Sequence, residues 1–516
     1  MHNLIVGTGP AAAAAILALA DDPSERITVV DIGERLADDT AAAVERMSAL
    51  QPAQWAVADR ELVSVQPRAL AGSALPEKRA YGSNHMFVDR GQQRGLVMPE
   101  RGNQAAVSGA VGGFSTVWGA QIMPFSRATF DRWPFGWDEI EPHYRAVLAE
   151  VPLAAEEDDY AEHFPLLSAR GPLPPVSGRT ADVLDRYRRH RSVIRAKGIV
   201  VGKARLAFSA NSCMRCGLCM TGCPYSLIYS ARQTIDRFVS TGRVRHISRV
   251  LVTSVDQPVG GTPSITCTDL TDGHEVRLEA DRVFVGAGGL GTTRIALNSL
   301  SAPPRELEFQ ESQQFLIPFV SRRSAGDPRA QHDFTLNQFN LLLKDDDAAY
   351  TTSQVHCYPY NPAIAAALPG WLPSRLSGAV LGRATAALGY LPSWRSPQLR
   401  VELRSRRAGA LPDIAVRVAD PRPAMFSSVL RRLSALGPWI DLHPILPMAR
   451  LSGPGKSYHF GATFAHGDRS DVLGRIGGFR NVHLIDGSVL PSVPSTTFTL
   501  TVMANAHRIV SESRHV

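Results

Sequence analysis

The chain has 516 residues, 44% of them hydrophobic and 20% charged, with Lys and Arg at 55 against Asp and Glu at 48. These proportions exclude a disordered chain, a collagen-like repeat and a coiled coil, and the length calls for roughly three structural units. The net charge of +7 is scattered rather than gathered into basic runs, so nucleic acid is not an expected partner.

The longest purely apolar run, Ala11 to Ala20, falls short of the roughly 20 residues that a membrane span requires. Met1-His2-Asn3 leads straight into an apolar strand without a charged leader, and four of the six cysteines crowd into one loop. Both features lead us to expect a cytoplasmic protein in a reducing compartment.

Leu4-Ile5-Val6 predicts a buried strand, Gly7-Thr8-Gly9-Pro10-Ala11-Ala12 a glycine turn, and the alanines to Ala20 a helix. That order is the opening of a dinucleotide-binding fold. Gly7 allows the tight turn, Gly9 lets backbone approach a pyrophosphate, Ala12 stands at the helix-packing position, and the helix N-terminus faces the phosphate charge. Arg26-Ile27-Thr28-Val29-Val30 predicts the next strand, ending at Asp31, where an acid bonds ribose hydroxyls. This much does not separate FAD from NAD.

From about Pro52 to Gln104 the chain reads as loop. Ser108 to Gly119 then gathers four glycines with small hydroxyl residues, which suits backbone passing close to a flat ligand. Ile140, Tyr144, Val147 and Leu148 predict a packed helix over 138–150. Residues 280–289 read as a strand running into glycines, and 292–300 as a helix, a second visit to the same parallel sheet.

Cys213, Cys216, Cys219 and Cys223, closed by Pro224, have the two, two and three-residue gaps of the bacterial ferredoxin run. The run reads as an iron–sulfur ligand set, as structural thiols, or as a zinc site. In ferredoxins the fourth cysteine serves a second cluster, so a lone cluster takes another ligand, with Cys267 and Cys357 as candidates, or keeps three irons. Between 363 and 394 only Arg375 and Arg383 are charged, among Trp371, Leu372, Leu376, Val380, Leu381, Tyr390, Leu391 and Trp394. That stretch reads as core, as a lid, or as a peripheral membrane contact.

The sequence resembles the glucose-methanol-choline (GMC) family of FAD oxidoreductases at several ordered places. Gly112-Gly113-Phe114-Ser115-Thr116-Val117-Trp118-Gly119 followed by Trp133-Pro134-Phe135-Gly136-Trp137 is similar to the family's flavin-contacting stretch, and residues 481–491 to its closing strand and flavin loop. Thr501 to Ala506 matches its last helix, and His459 to Gly467 its active-site histidine motif. The resemblance implies FAD, bound by Gly7, Gly9, Ala12, Asp31, Gly112, Gly113, Ser115, Thr116, Trp118, Val250, Ala287, Gly288, Asp486, Gly487 and Thr499. It implies His459 as the base that takes a hydroxyl proton while flavin accepts the hydride. In three places the motif differs: Ala462 replaces a glycine, His466 replaces a methionine, and Thr497, followed by Phe498, holds the partner position usually filled by Asn or His. The second polar group is then Thr497 or His466, or the chemistry has changed.

The expected fold is α/β, a discontinuous Rossmann-like FAD domain with a substrate domain of antiparallel sheet plus helices. The FAD domain takes 1–130, 241–300 and 456–516, the connecting region with the cysteine loop 131–240, and the substrate domain 301–455. The expected activity is oxidation of a hydroxyl, of a sugar, polyol or glycoside, to a carbonyl, with an external acceptor protein or quinone as electron partner. The rivals are a flavoprotein performing a reduction fed by the cluster, and a non-catalytic flavoprotein scaffold.

Overall fold

A computed structural model describes residues 1–64, 79–86, 98–99, 105–169, 171–344, 351–360, 378, 380–406, 409–420 and 424–515. Its centre is a parallel five-stranded sheet in the order Val482–Leu484, Arg282–Val285, His2–Val6, Arg26–Val30, Val244–Ile247. Apolar residues fill these strands on both faces, as a sheet covered on two sides requires. Its strands come from three stretches far apart in the chain. From His2–Val6 the chain moves to Arg26–Val30 on one side while Arg282–Val285 lies on the other, so a crevice opens at the carboxyl ends of the two central strands, where open α/β sheets bind ligands.

Helix Pro10–Ala20 starts with Pro at its first turn behind Gly9 and buries alanine almost all round. Short side chains let the final helix, Thr499–Glu512, pack closely against it, and Trp137–Glu150 packs on the other side of that helix. Ring contacts among Phe125, Phe130, Trp133, Phe135 and Trp137, with Tyr144 and Thr501 hydroxyls 2.7 Å apart, join this layer to the chain end.

An antiparallel sheet runs His443–Pro444, Gln314–Val320, Ala384–Tyr390, Thr352–Tyr358, Phe339–Lys344, Ile199–Lys203. Phe315, Ile317, Phe319, Val355, Cys357 and Ala387 turn to one face and form a second core with helices Gly178–Ala196 and Ala424–Ile440. The other face carries Gln314, Gln354, His356, Tyr358 and Tyr390. A further sheet contains Phe460–Gly461, Glu306–Glu311, Gln398–Ser405, Asp413–Asp420 and Met98–Pro99.

Several expectations need correction. Residues 52–64 are not all loop: Val57–Ser64 is a helix that buries Val63. Within 363–394, residues 363–377 and 379 lie outside the described residues; of the remainder, Leu381, Tyr390 and Leu391 are buried and Ala384–Tyr390 is an interior strand. Trp394 donates its indole N–H to Thr351 Oγ1 at 3.1 Å. This part is packed inside the sheet rather than presented to a membrane, while Val380 is exposed. Among the described residues, no helix is long and apolar enough to cross a membrane.

Glu25 and Arg282 form a buried ion pair at 2.7 and 2.9 Å, and Asn3 Nδ2 donates to the same carboxylate at 2.7 Å. Burial alone would raise the Glu25 carboxyl, but the Asn3 bond and the Arg282 guanidinium hold it below its ordinary value. Glu25→Ala leaves Arg282 buried and uncompensated, and we predict a stability loss of about 3–5 kcal/mol in urea unfolding.

Candidate active site

Glycines define the crevice. Gly7 has φ +100°, and a Cβ there would lie 2.4 Å from the Gly286 carbonyl, so the two central strand ends touch only because Gly7 carries no side chain. Gly9 has open space on its Cβ side, and a Cβ on Gly113 would come 3.3 Å from the Gly9 Cα. The 112–119 stretch therefore lies against the first glycine turn, with Gly112 and Gly113 both at positive φ. Ala12 is fully buried under the turn. Gly288, at φ +80° and open, caps helix Gly289–Ser299. The N-termini of these two helices follow directly from the two central strands, as a phosphate-binding crevice requires.

Asp31 sits at the end of its strand as expected. His246 Nε2 lies 2.8 Å from its Oδ1, and the Thr8 hydroxyl donates to its Oδ2. Val250 is placed beside it, its N–H donating to the Asp31 carbonyl at 3.0 Å. Ser115 Oγ donates to the Gly112 carbonyl at 2.5 Å and accepts from Ala231 N–H at 2.9 Å; Thr116 Oγ1 donates to the Gly113 carbonyl at 2.9 Å. Trp118 donates its indole N–H to the Tyr229 carbonyl at 2.7 Å. Asp486 is buried, accepting from Thr292 Oγ1 at 2.5 Å and Ser488 N–H at 2.9 Å, while Thr292 Oγ1 also accepts from Ala287 N–H at 3.0 Å. Burial pushes the Asp486 carboxyl up. Thr499 opens the last helix and is half-buried.

The histidine motif is tied to this crevice by backbone. Ala462 N–H donates to the Gly487 carbonyl at 2.9 Å, Phe464 N–H to Ser488 at 2.8 Å and His466 N–H to Val489 at 2.9 Å. A Cβ on Gly461 would lie 2.0 Å from the Gly487 carbonyl oxygen, so this approach also depends on glycine. Glu311, fully buried, accepts from Gly455 N–H at 2.7 Å, Ser457 N–H at 3.1 Å and Ser457 Oγ at 2.7 Å. Ser457 Oγ in turn accepts from His459 N–H at 3.1 Å. One carboxylate thus fixes the loop that carries His459.

His459 stacks on Tyr390 with centroids 4.7 Å apart and planes 22° apart, and touches Phe498 at 5.2 Å. Its Nδ1 is sealed from solvent without a hydrogen-bond partner, and so is Thr497 Oγ1. Burying polar atoms without partners is costly, so the two motif residues hold unspent hydrogen-bonding capacity in one neighbourhood. Burial lowers the His459 pKa to about 4, leaving a neutral ring able to accept a proton at ordinary pH. His466 is different. Its Nδ1 lies 2.6 Å from the Asp471 carbonyl and its Nε2 3.1 Å from the Asn505 amide nitrogen, so both nitrogens are engaged. It lines a separate hollow of about 540 Å³ with Asp131, Arg132, Glu308, Asp468 and Arg469, which neither His459 nor Thr497 enters.

The cysteine run folds as a loop with Cys219 buried and the other three half-buried. Cys219 Sγ accepts from Thr335 N–H at 3.3 Å and Cys213 Sγ from Arg215 N–H at 3.4 Å. Burial pushes Cys213 up to about 11 and Cys216 to about 12. Cys219 and Cys223 line a narrow cavity of about 70 Å³ together with Ser115, Thr116 and Trp118. Among the described residues, only Asp269, Asp272 and His274 gather three ligand atoms within 4.8 Å of one another. The four thiols of the run remain a candidate ligand set for an iron–sulfur cluster or for zinc. Cys267 and Cys357 are corrected as extra ligands: each is buried in a strand within a hydrophobic core, and neither joins the run.

Sequence reasoning missed Glu311 and Tyr390, and no motif marks either one. It also missed Gln354, His356 and Tyr358, whose alternation with Val355 and Cys357 was a readable signal of a two-faced strand.

No family model matches the chain. A protein of Rhodococcus erythropolis, described as an uncharacterized GMC-type oxidoreductase in the thcA 5′ region, is 21% identical over 427 residues, covering 77% of this chain and 80% of that one. Pyridoxine 4-oxidase from Mesorbium loti superposes with TM-score 0.62 at 14% identity, over 100% of this chain and 99% of that one. Formate oxidase of Aspergillus oryzae RIB40 does so with TM-score 0.62 at 12% identity, over 99% and 98%. The chain therefore shares their α/β fold, with antiparallel sheets plus helices.

Ala462, standing where the motif has glycine, adopts φ +64°. A left-handed alanine is strained, so we predict that Ala462→Gly raises stability by about 0.5–1 kcal/mol, read as a higher urea midpoint.

Proposed function

We propose that the protein is a GMC-type, FAD-dependent oxidoreductase that oxidises a hydroxyl group of a small molecule to a carbonyl. The observation that carries this reading is the pair of unpartnered buried atoms, His459 Nδ1 and Thr497 Oγ1, on a motif hydrogen-bonded to a glycine-lined crevice. The donor set suits FAD: Gly9 and Gly288 leave backbone bare for a pyrophosphate, Gly7, Gly112 and Gly113 make the close turns around them, and Asp31 keeps free lone pairs for ribose hydroxyls. The names of the similar proteins, a GMC-type oxidoreductase and two oxidases, agree with it.

When bound, FAD supplies the hydride acceptor. The chain does the rest. Neutral His459 takes the hydroxyl proton on an imidazole nitrogen. Thr497 Oγ1 holds the same oxygen, more weakly than a longer amide would. Glu311 and Ser457 keep the ring in place, and His466 takes a positioning role rather than a chemical one, since its nitrogens are committed. Sugars and polyols are the leading substrates.

His459→Ala is expected to retain FAD and to lose flavin reduction by substrate by on the order of 100-fold or more in anaerobic stopped flow. Unchanged reduction would remove His459 from the role. Because the base works when neutral, wild-type reduction should persist as pH falls past 6 and decline only towards about pH 4.

We propose that Cys213, Cys216, Cys219 and Cys223 would hold an iron–sulfur cluster, which would supply a path for electrons from the crevice to an external acceptor, a protein or a quinone. The cavity shared by Cys219, Cys223 and Trp118 supports that route. Anaerobically purified protein should contain iron and acid-labile sulfide, both reduced in Cys216→Ser; full content in that variant would refute the ligand assignment.

A further inference from the structure

The polar face of the antiparallel sheet carries a second histidine beside the first. His356 is 1% exposed, and Val355 and Cys357 on either side of it face the second core, so its ring turns to the opposite face with Gln354 and Tyr358. Tyr390 stands between the two histidines: its ring lies 5.1 Å from that of His356 and 4.7 Å from that of His459. Gln354 pairs directly across from Tyr390 on the neighbouring strand, and Leu388, opposite His356, is only half-buried.

The hydrogen bonding fixes how His356 is presented. Its Nε2 lies 3.2 Å from Gln354 Oε1, an acceptor only, so Nε2 carries the proton. Gln354 Nε2 in turn donates to Thr496 Oγ1 at 2.9 Å, next to Thr497. With the proton on Nε2, Nδ1 offers a lone pair, and among the described residues nothing donates to it. Burial lowers the pKa of His356 to about 3, with His459 adding to the effect, so the ring stays neutral and keeps that lone pair. The remaining groups in contact with Tyr390 and His459, namely Gln314, Gln354 and Phe498, are uncharged.

We propose that His356 is a second substrate-binding imidazole, whose Nδ1 accepts a hydrogen bond from a hydroxyl other than the one His459 deprotonates, so that the site selects a neutral molecule with at least two hydroxyls. This rests on the reading of His459 as the base. It explains why Thr497 suffices at the partner position: orientation of the substrate comes from the sheet rather than from that side chain alone.

The test compares D-glucose, D-sorbitol and myo-inositol with cyclohexanol, which has one hydroxyl. Binding is measured by titration calorimetry on FAD-loaded His459→Ala protein, which cannot turn over, with His356 intact, as His356→Phe, or as His356→Asn. Phe keeps a ring of similar size without the acceptor, and Asn restores an acceptor near the position of Nδ1. Loss of an acceptor for a buried hydroxyl should weaken the best polyol on the order of tenfold to a hundredfold in His356→Phe. Cyclohexanol should be unaffected, and His356→Asn should recover most of the affinity. Equal losses for both ligand types, or no loss for the polyol, would overturn the proposal. Should His356→Phe not retain FAD, His356→Asn decides: kept polyol preference supports the proposal and lost preference overturns it. Wild-type flavin reduced by cyclohexanol but by no polyol would sink this inference and leave the His459 reading standing. Flavin reduced by none of the four would sink both.

Discussion

The structure depends on three places where backbone meets backbone closely at glycine. Gly7 against Gly286 brings the ends of the two central strands together, Gly113 against Gly9 lays the 112–119 stretch on the first turn, and Gly461 against Gly487 docks the histidine motif on the closing loop. A Cβ at Gly7 or Gly461 would come within 2.4 Å of a carbonyl oxygen or closer, which no side chain tolerates. Segments separated by hundreds of residues are thereby held at one crevice. The chemistry proposed for the site follows from that convergence.

Around it, rigidity and unspent bonding capacity are separated. Glu311 commits both carboxylate oxygens to the 455–457 backbone and the Ser457 hydroxyl, and the loop before His459 has nowhere to move. Tyr458 and Ala462, on either side of the short motif strand, both adopt positive φ, a cost that the surrounding hydrogen bonds sustain. Against this fixed frame, His459 Nδ1 and Thr497 Oγ1 keep no partner, while His466, four bonds into the protein interior by Asp471, Asn505, Ser470 and its own backbone, spends all its capacity on structure. Two histidines of one motif thus take opposite parts, and burial lowers the pKa of both.

The crevice was legible in the sequence because strand, glycine turn, helix and terminal acid are local: strand Arg26–Val30 falls where its β-branched run placed it, and helix Pro10–Ala20 begins one residue before the expected start. The return of the chain at Arg282–Val285 was legible from the apolar run ending in glycines. The antiparallel sheet was expected from the family resemblance alone, and its pairs, such as Phe339 with Cys357 and Gln354 with Tyr390, join strands by contacts that no local pattern encodes. The apolar stretch ending at Trp394 left core, lid and membrane surface open, and its described part, with the strand Ala384–Tyr390, agrees with the core reading. Cysteine spacing marked out the loop of the run, but only the fold showed that Cys267 and Cys357 belong to hydrophobic cores.

The central claim is that the glycine-lined crevice is a dinucleotide site filled by FAD. The most direct measurement is to denature the purified protein, release its chromophore and quantify it by chromatography and mass spectrometry against the chain. One FAD per chain, released without proteolysis, is the predicted result; a chain that folds and carries neither FAD nor the capacity to take it up from solution would contradict the account.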